Sequence, residues 1–212
     1  MELTNSQLER FDELVSPFVD ENGDTKRVDV YIPIYAGDQL VKDAERRKHE
    51  NQHVRLDHID VDGKSVVDLG CNTGYISAYC ARNGASEVVG LDYKQELIDV
   101  CNYVKEVDNL DNLTFVCENK VYWARECDRV FDVGLNMSNF GYEETIKDMT
   151  KYGHIAKVWY IEPTNHASWN EFKNEEEIKE WANNELSKFG KVEFLTLTDY
   201  QDRGFFKLTM NE

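Results

Sequence analysis

Val66-Val67-Asp68-Leu69-Gly70-Cys71-Asn72-Thr73-Gly74-Tyr75 places an acid and two glycines at the end of a short apolar run that begins at Ser65. A run of that length, closed by glycine and followed by helical spacing from Gly74 to Arg82, reads as a β-strand turning into a helix. In a doubly wound sheet the carboxyl end of such a strand is where ligands bind. Gly70 lets the backbone approach a ligand closely, Gly74 lets the helix start tight against the strand, and Asn72 is among the few residues that tolerate a left-handed conformation. Asp92 ends the next apolar run, Glu87 to Leu91, 24 positions after Asp68. A carboxylate there can accept hydrogen bonds from two vicinal ribose hydroxyls, so the ligand expected is a nucleoside. The G-x-G-x-x-G triplet that grips a dinucleotide pyrophosphate is missing, and Asp68 would repel that group. A cationic ligand suits the loop.

Working outward, Leu97, Val100, Cys101 and Val104 mark a helix, Leu113 to Cys117 a third strand, Val130 to Leu135 a fourth and Ala156 to Ile161 a fifth. The alternation predicts parallel strands with helices on both faces. Asn174, three residues before Glu177, reads as a capping box for a helix whose stripe, Ile178, Trp181, Ala182, Leu186 and Phe189, stops at Gly190. The runs Val192 to Leu197 and Phe205 to Thr209 are separated only by a polar turn around Asp199 to Gly204, too short for a parallel crossover, so they form an antiparallel hairpin. Upstream, Leu8, Phe11, Leu14, Val15 and Phe18 predict an amphipathic helix. Val28, Val30, Ile32 and Ile34 predict an extended segment that Pro33 confines to an edge or whose pairing it ends, and a polar helix is expected from about Asp38 to Arg55.

The chain has 212 residues, of which 41% are hydrophobic and 12% aromatic, enough for one well-buried α/β domain with a small appendage. Its formal charge of −17 repels polyanions, so nucleic acid would need a local basic face. Lys42, Arg46, Arg47, Lys48 and Arg55, with His49 and His53, are the candidates. Asp43, Glu45 and Glu50 are interleaved with them, and they read as a solvated helix face. No apolar run approaches the ~20 residues of a membrane span, and the first residues lack the order of a signal peptide. The five cysteines, an odd number without a C-x-x-C pair, are expected as free thiols in a reducing compartment, and the protein is expected in the cytoplasm.

Val66 to Ser77, VVDLGCNTGYIS, resembles the first signature motif of class I S-adenosylmethionine-dependent methyltransferases, and Val88-Val89-Gly90-Leu91-Asp92 resembles their second-strand motif. The resemblance implies a Rossmann-like α/β fold of about seven mostly parallel strands with an antiparallel terminal hairpin. Here it would occupy residues 61–212, preceded by an N-terminal cap or substrate-recognition segment over residues 1–60. It implies S-adenosylmethionine as cofactor, whose ammonium and sulfonium suit Asp68. Asp68, Gly70, Cys71, Asn72 and Gly74 would form the loop around its amino-acid end, Asp92 would hold the ribose, and Tyr93 would lie against adenine. Glu118 or Asn119 would reach the adenine edge, and Asn136 would border the methyl group. Asn72 departs from the glycine usual in the family.

Methyl transfer from a sulfonium is an in-line displacement, so the protein aligns the acceptor and excludes water, and no metal is required. A hydroxyl or protonated amine acceptor also calls for a general base. His166 and Glu162, after the fifth strand, are the candidates, with Tyr31 and Tyr35 as acceptor-binding residues. A single histidine in a loop is, however, more often a surface residue than a catalyst. Asn136-Met137-Ser138-Asn139-Phe140 lacks the prolines of the D/N-P-P-Y/F motif of amino-group methyltransferases, so Asn136 is read as lining the pocket. The acidic balance favours a small-molecule acceptor over nucleic acid. The alternatives are an inactive cofactor-binding regulatory subunit, or an enzyme that uses the same pocket for aminopropyl transfer or cofactor cleavage.

Overall fold

The structure, a computed structural model, describes residues 2–44, 52–139, 141–165, 172–198 and 201–211. Helix α1 (Asn5–Leu14) opens on a capping box in which the Thr4 hydroxyl accepts the Gln7 N–H at 3.3 Å and Gln7 Oε1 accepts the Thr4 N–H at 2.9 Å. Its buried residue, Phe11, stacks on Tyr103 with ring centroids 4.7 Å apart. Strands β1 (Phe18–Val19) and β2 (Thr25–Lys26) form a minimal hairpin.

The expected extended segment buries Val28, Val30 and Ile32 on alternate positions but pairs with no described strand before Pro33. Its carbonyls are taken by the loop after the first core strand instead: Asn72 Nδ2 donates to the Asp29 carbonyl and Thr73 Oγ1 to that of Ile32, each at 3.2 Å. Pairing begins after the proline, where β3 (Ile34–Ala36) and β4 (Gln39–Lys42) enclose the two-residue turn Gly37–Asp38. This corrects the helix expected from Asp38 to Arg55. Residues 39–42 follow a tight turn and complete a hairpin, and among the described residues of that span the helical ones belong to α2 (His53–Leu56). Arg46, Arg47, Lys48 and His49 lie outside the described residues. Arg55 is no solvated cation: it is 1% exposed.

The main body follows as β5 (Ser65–Leu69), α3 (Tyr75–Arg82), β6 (Glu87–Asp92), α4 (Gln95–Asp108), β7 (Leu113–Cys117), α5 (Lys120–Glu126), β8 (Phe131–Met137), α6 (Tyr142–Tyr152), β9 (Ala156–Glu162), α7 (Glu175–Asn184), β10 (Gly190–Thr198) and β11 (Arg203–Met210). The seven strands lie in the order β10-β11-β9-β8-β5-β6-β7. All neighbours are parallel except β11, which is antiparallel to both β9 and β10. This is the predicted sheet, terminal hairpin included.

Burial follows the two-residue period of strands. Val66 and Val88 face one core with Ile76 and Val100, while Val67 and Val89 face the other with Met149 and Ile178. At α7, Asn174 Oδ1 caps the Glu177 N–H at 2.9 Å, but the return bond from Glu177 Oε2 goes to the Lys173 N–H. Strand β5 pairs with β6 on one side and β8 on the other, so the winding reverses at β5. A doubly wound sheet opens its ligand crevice at that reversal, beyond the carboxyl ends of its strands.

Candidate functional site

Strand β5 turns sharply as it ends, because the Gly70 and Cys71 N–H groups both donate to the Leu91 carbonyl at 2.8 Å. Gly70, Asn72 and Gly74 all take left-handed backbone angles, with φ of +89°, +50° and +78°. A Cβ on Gly70 would run into the Asn139 carboxamide, with Asn139 Cγ at 2.9 Å, and one on Gly74 would meet Phe115 Cζ at 2.8 Å. Asp92 clasps the bend: one carboxylate oxygen accepts the Asn72 N–H at 3.2 Å and the other accepts the Lys94 N–H at 3.1 Å. Burial raises its pKa, and those N–H groups pull it back.

Asp68 is 4% exposed and accepts the Ser77 hydroxyl at 2.6 Å. Burial pushes its carboxyl up to about 6, against the Ser77 hydrogen bond and the Arg55 charge, with Asp92 adding to the rise.

Two cavities meet at this bend. One of about 280 Å³ is lined by Tyr31, Arg55, Asp68, Cys71, Asn72 and Ser138, among others. The other, of about 410 Å³, is lined by Glu118, Asn119, Lys120 and Val121. Gly70, Asp92, Tyr93 and Asn139 line both. Tyr93, which lines both cavities, is 70% exposed. The Glu118 N–H donates to the Asp92 carbonyl at 3.0 Å, and Asn119 Oδ1 caps α5 through the Val121 N–H at 2.9 Å.

The remaining sequence candidates divide. Tyr31 lines the smaller cavity, where its hydroxyl accepts from Arg203 Nη1 at 3.1 Å. Tyr35 lines neither cavity and packs on Tyr75, with ring centroids 5.2 Å apart. Asn136 stands behind the wall, donating to the Tyr152 hydroxyl at 3.4 Å and accepting from Asn139 Nδ2 at 2.8 Å. Asn139, whose Nδ2 also donates to the Leu69 carbonyl, borders the cleft in place of Asn136. His166 lies outside the described residues.

Glu162 is fully buried; it accepts the Ser138 hydroxyl at 2.5 Å and pairs with Arg55 Nη1 at 3.4 Å. Arg55 also donates to Gln52. Sequence reasoning missed Arg55, Ser138 and Arg203 as site residues. Removing one partner of a buried ion pair strands the other, so Glu162→Ala is expected to lose about 3–5 kcal/mol of stability in denaturant unfolding. An unchanged midpoint would show the pair to be immaterial.

Among the described residues no group of three or more His, Cys, Asp or Glu side chains could hold a metal ion. No helix among them is long and apolar enough to cross a membrane.

Residues 66–153 match the family described as a methyltransferase domain. Over 73 residues the chain is 30% identical to a ubiquinone biosynthesis O-methyltransferase of Neisseria meningitidis serogroup C, covering 32% of this chain and 31% of that protein. It is also 30% identical over 128 residues to the ribosomal protein arginine N-methyltransferase rmt3 of Schizosaccharomyces pombe, covering 54% and 24%. The chain thus spans about a third or less of the length of these curated relatives. A crystal structure of the bifunctional kinase-methyltransferase WbdD superposes with a TM-score of 0.54 at 20% identity, covering 76% of this chain and 37% of that one, a likeness of fold alone. The loop after β5 and Asp92 at the end of β6 both fall within residues 66–153, so the stretch that matches a methyltransferase domain is the stretch that builds the cleft.

Proposed function

We propose that this protein transfers the methyl group of S-adenosylmethionine to a small-molecule acceptor by in-line displacement. The observation that carries this reading is the buried carboxylate of Asp68 on one cavity wall with Arg55, beside a bend that Asp92 clasps. A ligand end bearing both an ammonium and a carboxylate is complementary to that wall. The residues fit the cofactor: Gly70 leaves a cradle that a Cβ would fill, and Tyr93 presents an exposed ring where the two cavities join, with the Lys94 ammonium 5.7 Å from its centroid.

When bound, the cofactor supplies an electrophilic methyl group on a sulfonium. Asp68 would take its ammonium, Arg55 its carboxylate and Asp92 the ribose hydroxyls, using lone pairs left over from the Asn72 and Lys94 N–H groups. Tyr93 would lie against adenine, whose edge Glu118 or Asn119 would reach. Ser138, on the cavity wall, donates its hydroxyl to Glu162, which makes it the route by which an acceptor proton reaches that buried carboxylate. Tyr31 orients the acceptor. Residues 1–60 act as the recognition segment over the cofactor-binding domain of residues 61–212, and the protein works in the cytoplasm.

Isothermal titration is expected to show binding of both S-adenosylmethionine and S-adenosylhomocysteine, and incubation with an acceptor is expected to release S-adenosylhomocysteine. Binding of neither nucleoside would remove the basis of the proposal. Binding with no turnover of any acceptor would favour a regulatory subunit, and release of methylthioadenosine would favour a different reaction.

A further inference from the structure

A cavity of about 370 Å³ lies beyond the carboxyl end of β9, between the start of α7 and the turn that joins β10 to β11. Phe172, Ile178 and Leu197 give it apolar walls, and Asn165, Glu175 and Asp202 are among its polar ones. Asn165 is only 5% exposed. Its Nδ2 donates to the Phe172 carbonyl at 3.5 Å, while its Oδ1 is buried without a hydrogen-bond partner. Thr198, next to Leu197 and 1% exposed, also buries a hydroxyl without a partner. Buried polar atoms in native folds are nearly always satisfied, so an orphan acceptor at a cavity wall is a place where a donor entering the cavity gains a hydrogen bond.

The chemistry of the wall narrows that ligand. A carboxamide oxygen only accepts, so the ligand must donate. Glu175, which pairs with Lys179, and Asp202 place two carboxylates on the lining, where Lys173 is the one ammonium among the lining residues, and the whole chain carries a net charge of −17, which draws cations and repels anions. Phe172 adds a ring whose face attracts an ammonium. Gln201, also on the lining, accepts from Arg203 Nη2 at 2.6 Å, and Arg203 Nη1 donates to the Tyr31 hydroxyl on the cofactor cleft. Two hydrogen bonds therefore connect this cavity to the cleft.

The geometry points to this cavity as a binding subsite for a primary ammonium on an apolar body. In the methyl-transfer reading above, on which this last assignment rests, that group is the remote end of the acceptor.

The test is titration of benzylamine into protein saturated with S-adenosylhomocysteine, with benzyl alcohol and benzoate as neutral and anionic isosteres, read from the side-chain amide signal of Asn165 and by calorimetry. Benzylamine is expected to bind roughly tenfold or more tightly than benzyl alcohol, with no detectable benzoate binding. Asn165→Leu should weaken benzylamine roughly tenfold, and Asn165→Asp, which keeps the size and adds a charge, should tighten it, both with wild-type affinity for S-adenosylhomocysteine. Equal binding of the three probes, a preference for benzoate, or benzylamine affinity untouched by both variants would overturn the subsite. Benzylamine binding by a protein that ignores S-adenosylhomocysteine would instead leave the subsite standing and sink the methyl-transfer reading.

Discussion

Replacing Gly70 with arginine is expected to raise the dissociation constants for S-adenosylmethionine and S-adenosylhomocysteine by roughly a hundredfold or more, a loss of about 2.7 kcal/mol or greater. Two physical effects combine. With φ at +89°, any side chain at this position strains the backbone by about 1–2 kcal/mol. The new Cβ would also displace the Asn139 carboxamide, which is bonded to the Leu69 carbonyl and to Asn136, and the rest of the arginine would project into the space where the two cavities join. Gly63→Ala separates the effects. Gly63 has φ of +68° and nothing within 4 Å of its would-be Cβ, so that variant should lose about 1 kcal/mol of stability and bind normally. A folded Gly70→Arg protein that binds S-adenosylhomocysteine like wild type would mean that the nucleoside sits elsewhere.

Asp68→Asn should move binding and stability in opposite directions. Burial raises the Asp68 pKa from 3.8 to about 6, so its contribution to stability is fully present below the unfolded value, near 4, and is lost as pH rises through about 6. At neutral pH the empty protein therefore holds a buried charge, at a cost of up to about 3 kcal/mol for two pKa units. Asparagine escapes that cost and can still accept the Ser77 hydroxyl. The variant without cofactor should melt at a higher temperature than wild type at pH 7.5.

Cofactor affinity should nevertheless fall by about 10–100-fold, because a charge-assisted hydrogen bond worth about 1.5–3 kcal/mol is lost. In wild type, affinity should decline about tenfold per pH unit below pH 6, as the carboxylate that receives the ammonium is protonated. In the variant it should be flat from pH 5 to 7. Calorimetry across that range checks both, and a flat wild-type profile would remove Asp68 from the ammonium site.

What the sequence disclosed follows from how local each feature is. Asp68, Gly70, Asn72 and Asp92 could be read because a strand, a tight turn and the next strand end bring them together within 25 residues. The capped start of α7 and the terminal hairpin were likewise legible from short spacings. Helix α6 was not, since its buried face is Tyr142, Thr145, Asp148, Met149 and Tyr152, a stripe that looks polar. Asp148 can be buried there because Lys120 pairs with it at 2.8 Å from 28 positions away. Arg55 reads as one more cation in a basic run until Glu162, 107 residues on, is folded against it. Arg203 meets Tyr31 across 172 residues. Such contacts are set by topology, and no local pattern encodes them.

Strand β11 lies between β9 and β10 although it follows both in the chain, and β10 pairs as a strand with β11 alone. On a translating ribosome, residues 190–198 therefore emerge with no strand to pair with, and both their backbone edges stay open until residues 203–210 follow. This edge of the sheet zips against the direction of synthesis. The grip of Arg203 on Tyr31 forms in the same event, so a nascent chain whose loop after β5 is already shaped still lacks this contact at the rim of the cleft.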